Sequence, residues 1–223
     1  MLGSGTWPAN GEIDILEGVN DARNNSMTLH TNAGCRVQKT GFSGTLTTSD
    51  CDVSDPAQSK NAGCQIQDPA AASYGTAFNQ QGGAVIATEV TSQGIKIWSF
   101  PRSKIPAGIE SPDPSTWGMP VAAFAGECDI DTHFKDMSIL FDTTFCGQWA
   151  GDPHVWAQGA CAAKAPTCQA YVQGNPQVFG EAYWLVNSVK VYEAGAKRRA
   201  VRRELDVRRS HQAFSSEAFD FDS

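Results

Sequence analysis

Glu12, Asp14 and Glu17 fall within Gly11-Glu12-Ile13-Asp14-Ile15-Leu16-Glu17-Gly18, interleaved with β-branched and aliphatic residues. Three carboxylates this close repel one another, a cost on an otherwise apolar segment that points to chemistry. Two carboxylates facing each other across a groove can divide the roles of nucleophile and acid/base, the arrangement that cleaves glycosidic bonds. At a separation of ~5–5.5 Å the reaction retains anomeric configuration. Asp14, lying between the two glutamates, is suited to hydrogen-bond one of them and to separate their pKa values, because nearby like charge raises the group that must stay protonated. Two other uses stay open for the same residues. One is an acidic exposed edge strand, and the other is a cation site, although calcium draws on loop oxygens more than on one strand. The Ile and Leu between the acids speak for burial.

The backbone decides whether the three acids converge. A helix sets Glu12 and Glu17 about 140° apart at 3.6 residues per turn. A strand places Glu12, Asp14 and Leu16 on one face and Ile13, Ile15 and Glu17 on the other. Glu17 joins the other acids only if one extra residue is absorbed between Asp14 and Glu17, so a β-bulge is predicted there. The bulged strand then spans roughly 13 Å from Glu12 to Glu17 at ~3.3 Å per step. Two long Glu side chains leaning inward can close most of that gap.

Other elements follow from alternation and breakers. Ser26 to Thr31 reads as a second strand, and residues 84–90 and 94–100 read as a hairpin joined by Thr91-Ser92-Gln93. In that hairpin Ile95, Ile97 and Ser99 share a face. Ser138 to Phe145 and Tyr183 to Tyr192 also read as strands, the latter alternating Trp184, Val186, Ser188 and Lys190 against Leu185, Asn187, Val189 and Val191. Asn32 to Gly83 and Cys146 to Gln177 read as long loops, and a loop of such length is often functional or stapled. Pro101 to Pro120 holds five prolines and is expected to be irregular. The predicted class is all-β, and strands this widely spaced favour a sandwich over a small barrel.

At 223 residues one sizeable domain suffices. No apolar run approaches the ~18 residues that span a membrane. The net charge of −7 is unevenly spread: the last 28 residues hold 7 of the 17 basic and 5 of the 24 acidic side chains, leaving −9 on the rest. An acidic body argues against nucleic acid as a partner and leaves neutral polymers such as polysaccharides as candidates. The charged stretch 194–223 is expected to be a solvated, disordered tail. Seven cysteines (Cys35, Cys51, Cys64, Cys128, Cys146, Cys161 and Cys168) form no CxxC pair and no His lies at zinc spacing, so no metal or cofactor is expected. Their density suggests disulfides and an oxidising compartment, with connectivity open and one thiol left over. Asn24-Asn25-Ser26 is a glycosylation sequon.

The stretch Trp7-Pro8-Ala9-Asn10-Gly11-Glu12-Ile13-Asp14-Ile15-Leu16-Glu17-Gly18-Val19-Asn20 resembles the signature of glycoside hydrolase family 16, in the bulged E-x-D-x-x-E form of fungal endo-1,3(4)-β-glucanases (laminarinases). The likeness extends to Thr28-Leu29-His30-Thr31 with Gly34-Cys35, Tyr74-Gly75 with Phe78-Asn79, Trp98-Ser99-Phe100-Pro101-Arg102, and Cys128-Asp129 with His133-Phe134. Phe145-Cys146-Gly147-Gln148-Trp149-Ala150-Gly151 and Asn187-Ser188-Val189-Lys190-Val191-Tyr192 complete it, over residues 4 to 192. The resemblance implies a concanavalin-like β-jelly roll of two antiparallel sheets, with a catalytic domain over residues 1–193. It implies Glu12 as nucleophile, Glu17 as acid/base and Asp14 as the assisting carboxylate. His30, Trp7, Gln148 and Trp149 are implied to contact substrate, although His30 also fits a satisfied strand histidine and either Trp also fits a core. Trp98 and Trp184 are expected in the core.

The implied activity is a retaining endo-glycosidase acting on β-1,3 and mixed-linkage glucans, in a secreted monomer that needs neither membrane nor nucleic acid. A glucan transglycosylase and a non-catalytic glucan-binding fragment are the alternatives. Met1-Leu2-Gly3-Ser4-Gly5 lacks the basic start and apolar core of a signal peptide. Family members carry strands before the acidic motif, so the jelly roll is expected to be incomplete at the N-terminus.

Overall fold

A computed structural model describes residues 1–193 of the chain, and the charged stretch 194–223 lies outside the described residues. The described residues fall into two units, Met1–Ala182 and a second that begins at Tyr183.

The first unit is built from nine antiparallel strands: β1 (Glu12–Glu17), β2 (Ser26–His30), β3 (Cys35–Val37), β4 (Thr45–Thr48), β5 (Cys64–Gln67), β6 (Ala84–Thr91), β7 (Gly94–Pro101), β8 (Ala122–Phe124) and β9 (Gly126–Cys128). They form a four-stranded sheet in the order β1-β2-β5-β4, a three-stranded sheet β6-β7-β8, and the pair β3-β9. Alternation in β1, β2 and β5 sends Ile13, Met27, Leu29, Cys64 and Ile66 to one face. There they join Ile95, Ile97, Ala122 and Phe124 from the three-stranded sheet in a single buried cluster. Burial of each such side chain stabilises by about 1.5–3 kcal/mol, so the two sheets hold each other as a sandwich. The far side of the three-stranded sheet is closed by the proline-rich stretch. Trp98, 3% exposed, meets Trp117 edge-on and donates its indole N–H to the Gly118 carbonyl. Trp98 is thus in the core, as expected.

The predicted hairpin forms as β6-β7, with Ile97 opposite Thr88 and Ser99 opposite Ile86. Four other readings are corrected. The segment from Asn32 to Gly83 is not a loop, since it holds β3, β4, β5 and the helix α1 (Gly75–Gln80). In strands of three or four residues a period is too short to stand alone, and their partners are remote: Cys35 faces Cys128 and Cys64 faces Leu29. Residues Cys146 to Gln177 likewise hold short helices. After α2 (Ile130–His133) come α3 (Gly147–Ala150), α4 (Pro153–Gln158) and α5 (Cys168–Gly174). Asp152 caps α4 through the His154 and Val155 amides, and Thr167 caps α5 through the Ala170 amide.

The third correction is Ser138 to Phe145, which is no strand. Among the described residues only Ser138 bridges, to Leu2, while Ile139, Leu140 and Phe141 are exposed. An apolar run by itself does not make a strand, which requires a continuous ladder with a neighbour. The fourth concerns the second unit. Tyr183 to Tyr192 is without regular secondary structure, with Leu185, Val191 and Tyr183 exposed. Trp184, 37% exposed, is not a core residue.

Disulfides join Cys35 to Cys128, Cys51 to Cys64, and Cys146 to Cys168, and the thiol left over is Cys161. The sequon is not presented by the fold. The Asn24 amide donates to the Asp68 and Ala70 carbonyls, and Ser26 is buried in β2.

Candidate active site

The site rests on the register of β1 against β2. Glu12 faces His30, Asp14 faces Thr28 and Glu17 faces Ser26. From Asp14 to Glu17 the first strand advances three residues while the second advances two, so Ile15 and Leu16 together oppose Met27. This is the predicted bulge, at the predicted place. The second strand is regular here, so Ser26, Thr28 and His30 share one face. Their partners Glu12, Asp14 and Glu17 must share it too. The opposite face carries Ile13, Leu29 and Met27 into the core.

Two glycines bracket this strand. Gly11 has a φ of +75°, and a Cβ there would lie 2.5 Å from the Phe134 ring and the His133 carbonyl. Gly18 lets the Tyr74 ring approach, since a Cβ would meet it at 2.6 Å. Tyr74 then donates its hydroxyl to the Gly18 carbonyl at 2.9 Å.

The three acids stand in different surroundings. Trp7 donates its indole N–H to Glu12 Oε2 at 2.7 Å and tilts its ring over His30, centroids 6.0 Å apart. Burial and the Asp14 charge raise the Glu12 carboxyl, against the pull of the Trp7 hydrogen bond and of His30. Among the described residues Glu17 has no such donor. Burial first, then the charge of Asp14, with smaller contributions from Glu12 and Asp142, push its carboxyl up to about 7 against the pull of His30. Asp14 Oδ2 lies 3.1 Å from His30 Nε2, a close polar contact with imperfect alignment. Burial alone would lower the imidazole, but the contact and charge of Asp14, with Glu12 and Glu17, hold it above its ordinary value. One ligand atom each from Glu12, Asp14 and His30 fall within 4.8 Å of one another. Cross-strand pairing produces that grouping by itself, because Glu12 faces His30 and Asp14 is two residues further along.

The arrangement therefore offers one carboxylate with a fixed hydrogen-bond donor and a second carboxyl that exchanges its proton near neutrality. Comparison with known proteins now adds the lineage. Residues 1–192 match the family model for the XgeA-like, catalytic GH16 domain. The chain belongs to glycoside hydrolase family 16.

Within the family, it is 46% identical over 202 residues to an endo-1,3(4)-beta-glucanase of Arthroderma benhamiae, covering 86% of this chain and 43% of that protein. It is 45% identical over 192 residues to a probable glycosidase of Schizosaccharomyces pombe, covering 84% and 45% respectively. The chain thus spans less than half the length of these curated relatives. Among solved structures, laminarinase 16A from Phanerochaete chrysosporium with two beta-glucans bound superposes with a TM-score of 0.70 at 40% identity, covering 80% of this chain and 61% of that one. An elongating family 16 beta-1,3-glucosyltransferase superposes with a TM-score of 0.61 at 47% identity, covering 66% and 49%. The fold of this family 16 chain is the all-β jelly roll.

Of the residues singled out from sequence, the family 16 fold brings Glu12, Asp14, Glu17, His30 and Trp7 together. Gln148 and Trp149 sit on α3, which follows Cys146 of a disulfide. Gln148 accepts from the Asn61 amide at 2.8 Å. That places it two residues from Gly63, where a Cβ would lie 2.8 Å from His30 Nδ1. Trp149 is 40% exposed rather than core. Sequence reasoning missed Asn25, buried beside the bulge, and treated Tyr74 only as part of the resemblance. It also missed Gln65 and Gln67, which face Thr28 and Ser26 and continue the polar face onto β5. A period of two in Cys64–Gln67 was the available signal, too short to stand alone.

Proposed function

We propose that this chain is a catalytic domain of a retaining endo-β-glucanase that cleaves β-1,3 bonds, and β-1,4 bonds adjacent to them in mixed-linkage glucans. The observation that supports this most is the bulge, which aligns Glu12 and Glu17 on one face while leaving them in unlike environments. Glu12, held by Trp7, attacks the anomeric carbon as the carboxylate. Glu17 delivers its proton to the departing glycosidic oxygen, so a glycosyl–Glu12 ester forms as the C–O bond breaks. Glu17, now ionised, takes a proton from water, which attacks the same carbon and releases Glu12. Asp14 raises Glu17 in the first step and engages His30, which favours the protonated imidazole beside the anionic cluster.

Trp7, His30, Gln148 and Trp149 are proposed to contact the sugar chain. Exposed indole faces offer rigid apolar area to glucose rings at low entropic cost. Three disulfides fit an extracellular site of action, and the acting form is proposed to be a monomer. A second reading, transfer of the glycosyl group to a sugar instead of water, uses the same intermediate, and a family 16 glucosyltransferase is among the similar structures. Lengthened oligosaccharides among the products would identify that outcome.

Azide tests the roles. Glu12→Ala should be rescued to give an α-glucosyl azide, because azide occupies the nucleophile's side. Glu17→Ala should give a β-glucosyl azide, because azide attacks the ester from the opposite side. A Glu12→Gln variant with full activity on laminarin would sink the assignment.

A further inference from the structure

A bulge frees backbone groups that a regular ladder would pair. Here the freed groups are the Ile15 carbonyl and the Glu17 amide, on either side of Leu16. A single side chain takes both. Asn25 Nδ2 donates to the Ile15 carbonyl at 2.9 Å, and Asn25 Oδ1 accepts from the Glu17 N–H at 2.8 Å. Asn25 is 3% exposed and precedes Ser26, the cross-strand partner of Glu17.

The clamp is itself anchored. The Asn25 N–H donates to Ser73 Oγ at 3.0 Å, Ser73 Oγ donates to the Ala70 carbonyl at 2.6 Å, and the Asn25 carbonyl accepts from the Asp68 N–H at 2.9 Å. One residue beyond Glu17, Tyr74 holds the Gly18 carbonyl, and the Tyr74 N–H donates to the Arg23 carbonyl. Glu17 is thus tied on both sides to the segment 68–74.

The chemistry selects the residue type. A carboxamide presents a donor and an acceptor on one rigid plane. Aspartate cannot donate to the Ile15 carbonyl, and a hydroxyl cannot span both groups. We propose that Asn25 is a positioning residue for the reaction: its amide stabilises the bulge and so aims the Glu17 carboxyl at the leaving-group oxygen. This rests on the assignment of Glu17 as acid/base. Without the clamp the extra residue relaxes, and Glu17 turns toward the face of Ile13 and Ile15.

The test uses a readout that general damage would not move. Proton donation matters for a sugar leaving group and hardly at all for dinitrophenolate. Steady-state kcat/KM, which reports the first irreversible step, is compared for laminari-oligosaccharides and for 2,4-dinitrophenyl β-laminaribioside. Asn25→Ala should lose roughly 10²-fold on the oligosaccharides, the scale of an ångström-sized misplacement, and stay within about 3-fold on the activated glycoside, since only the former needs the acid. Equal loss on both substrates, or no loss on either, overturns the proposal. If the alanine variant does not fold, Asn25→Asp is read by the same two outcomes, because it keeps the size and the acceptor for the Glu17 amide but not the donor. Glu17→Ala runs alongside. If that variant is not selective between the two substrates, the assignment of Glu17 fails. If it is selective and the Asn25 variants are not, only the role of Asn25 fails.

Discussion

Replacing Glu17 by glutamine should stabilise the protein at neutral and alkaline pH while removing its proposed acid/base. The carboxyl moves from an ordinary 4.5 to about 7 on folding, mainly because burial and Asp14 penalise its charge. Between those two values the native state holds a proton that the unfolded chain has released. Stability therefore falls as pH rises through that window and is constant on either side of it. The shift corresponds to about 3 kcal/mol at roughly 1.4 kcal/mol per pH unit. Glutamine keeps the shape and carries no charge, so it escapes this penalty. Urea melts of both proteins between pH 4 and 9 provide the assay. The stability difference, variant minus wild type, should be flat below pH 4.5, rise in favour of the variant up to about pH 7, and plateau about 3 kcal/mol higher. Glu12, Asp14 and Glu17 interact, so the rise should be broader than a one-proton curve. A difference that does not change with pH, or one that moves in favour of the wild type as pH rises, would refute the claim that burial and like charge hold this carboxyl protonated.

Trp7→Phe keeps an aromatic face but deletes the N–H that Glu12 accepts. Glu12 should rise further, so the acid limb of kcat/KM moves to higher pH, and a hydrogen bond to a charged group worth about 1.5–3 kcal/mol is lost. An unmoved acid limb would show that the indole does not tune Glu12. The disulfides should differ in weight. Cys35–Cys128 closes a separation of 93 residues and Cys51–Cys64 one of 13. Paired serine substitutions should cost roughly 4–5 kcal/mol for the former and about 3 for the latter in the chain-entropy picture, measured as loss of urea midpoint at constant slope. The reverse order would show that strain or residual unfolded structure outweighs loop entropy.

Much of the site was legible because its logic is local. In Glu12–Glu17 a period of two conflicts with the placement of three acids, and the bulge is the shortest resolution of that conflict. Ile95 and Ile97 were legible as one core face because they alternate with Lys96 in β7, while Trp98 is buried on the other face against Trp117. Ser138 to Phe145, with its run of Ile139, Leu140 and Phe141, misled, because an apolar run also fits an irregular segment and among the described residues only Ser138 bridges. Trp184 misled because an aromatic residue in an alternating stretch reads as core, whereas it is 37% exposed. The stretch from Asn32 to Gly83 failed in the opposite sense. Its strands of three or four residues draw their stability from partners such as Cys128, Leu29 and Met27, none of them nearby in sequence.

The sequence by itself determined the composition of the reactive strand, the need for an extra residue between Asp14 and Glu17, and the sheet-forming character of the chain. These depend on side-chain type and on a two-residue repeat, both readable within a dozen residues. Tertiary structure decided which cysteines meet, which alternating segments become strands, and what surrounds each acid. It alone gives Glu12 the Trp7 indole, leaves Glu17 buried beside Asp14, and brings Asn25 to the bulge with Ser73 behind it. Hydrogen bonding and desolvation act over a few ångströms in space. The residues that set the protonation of one strand are therefore chosen by the fold, and they include His30 on the neighbouring strand and the distant Asp142.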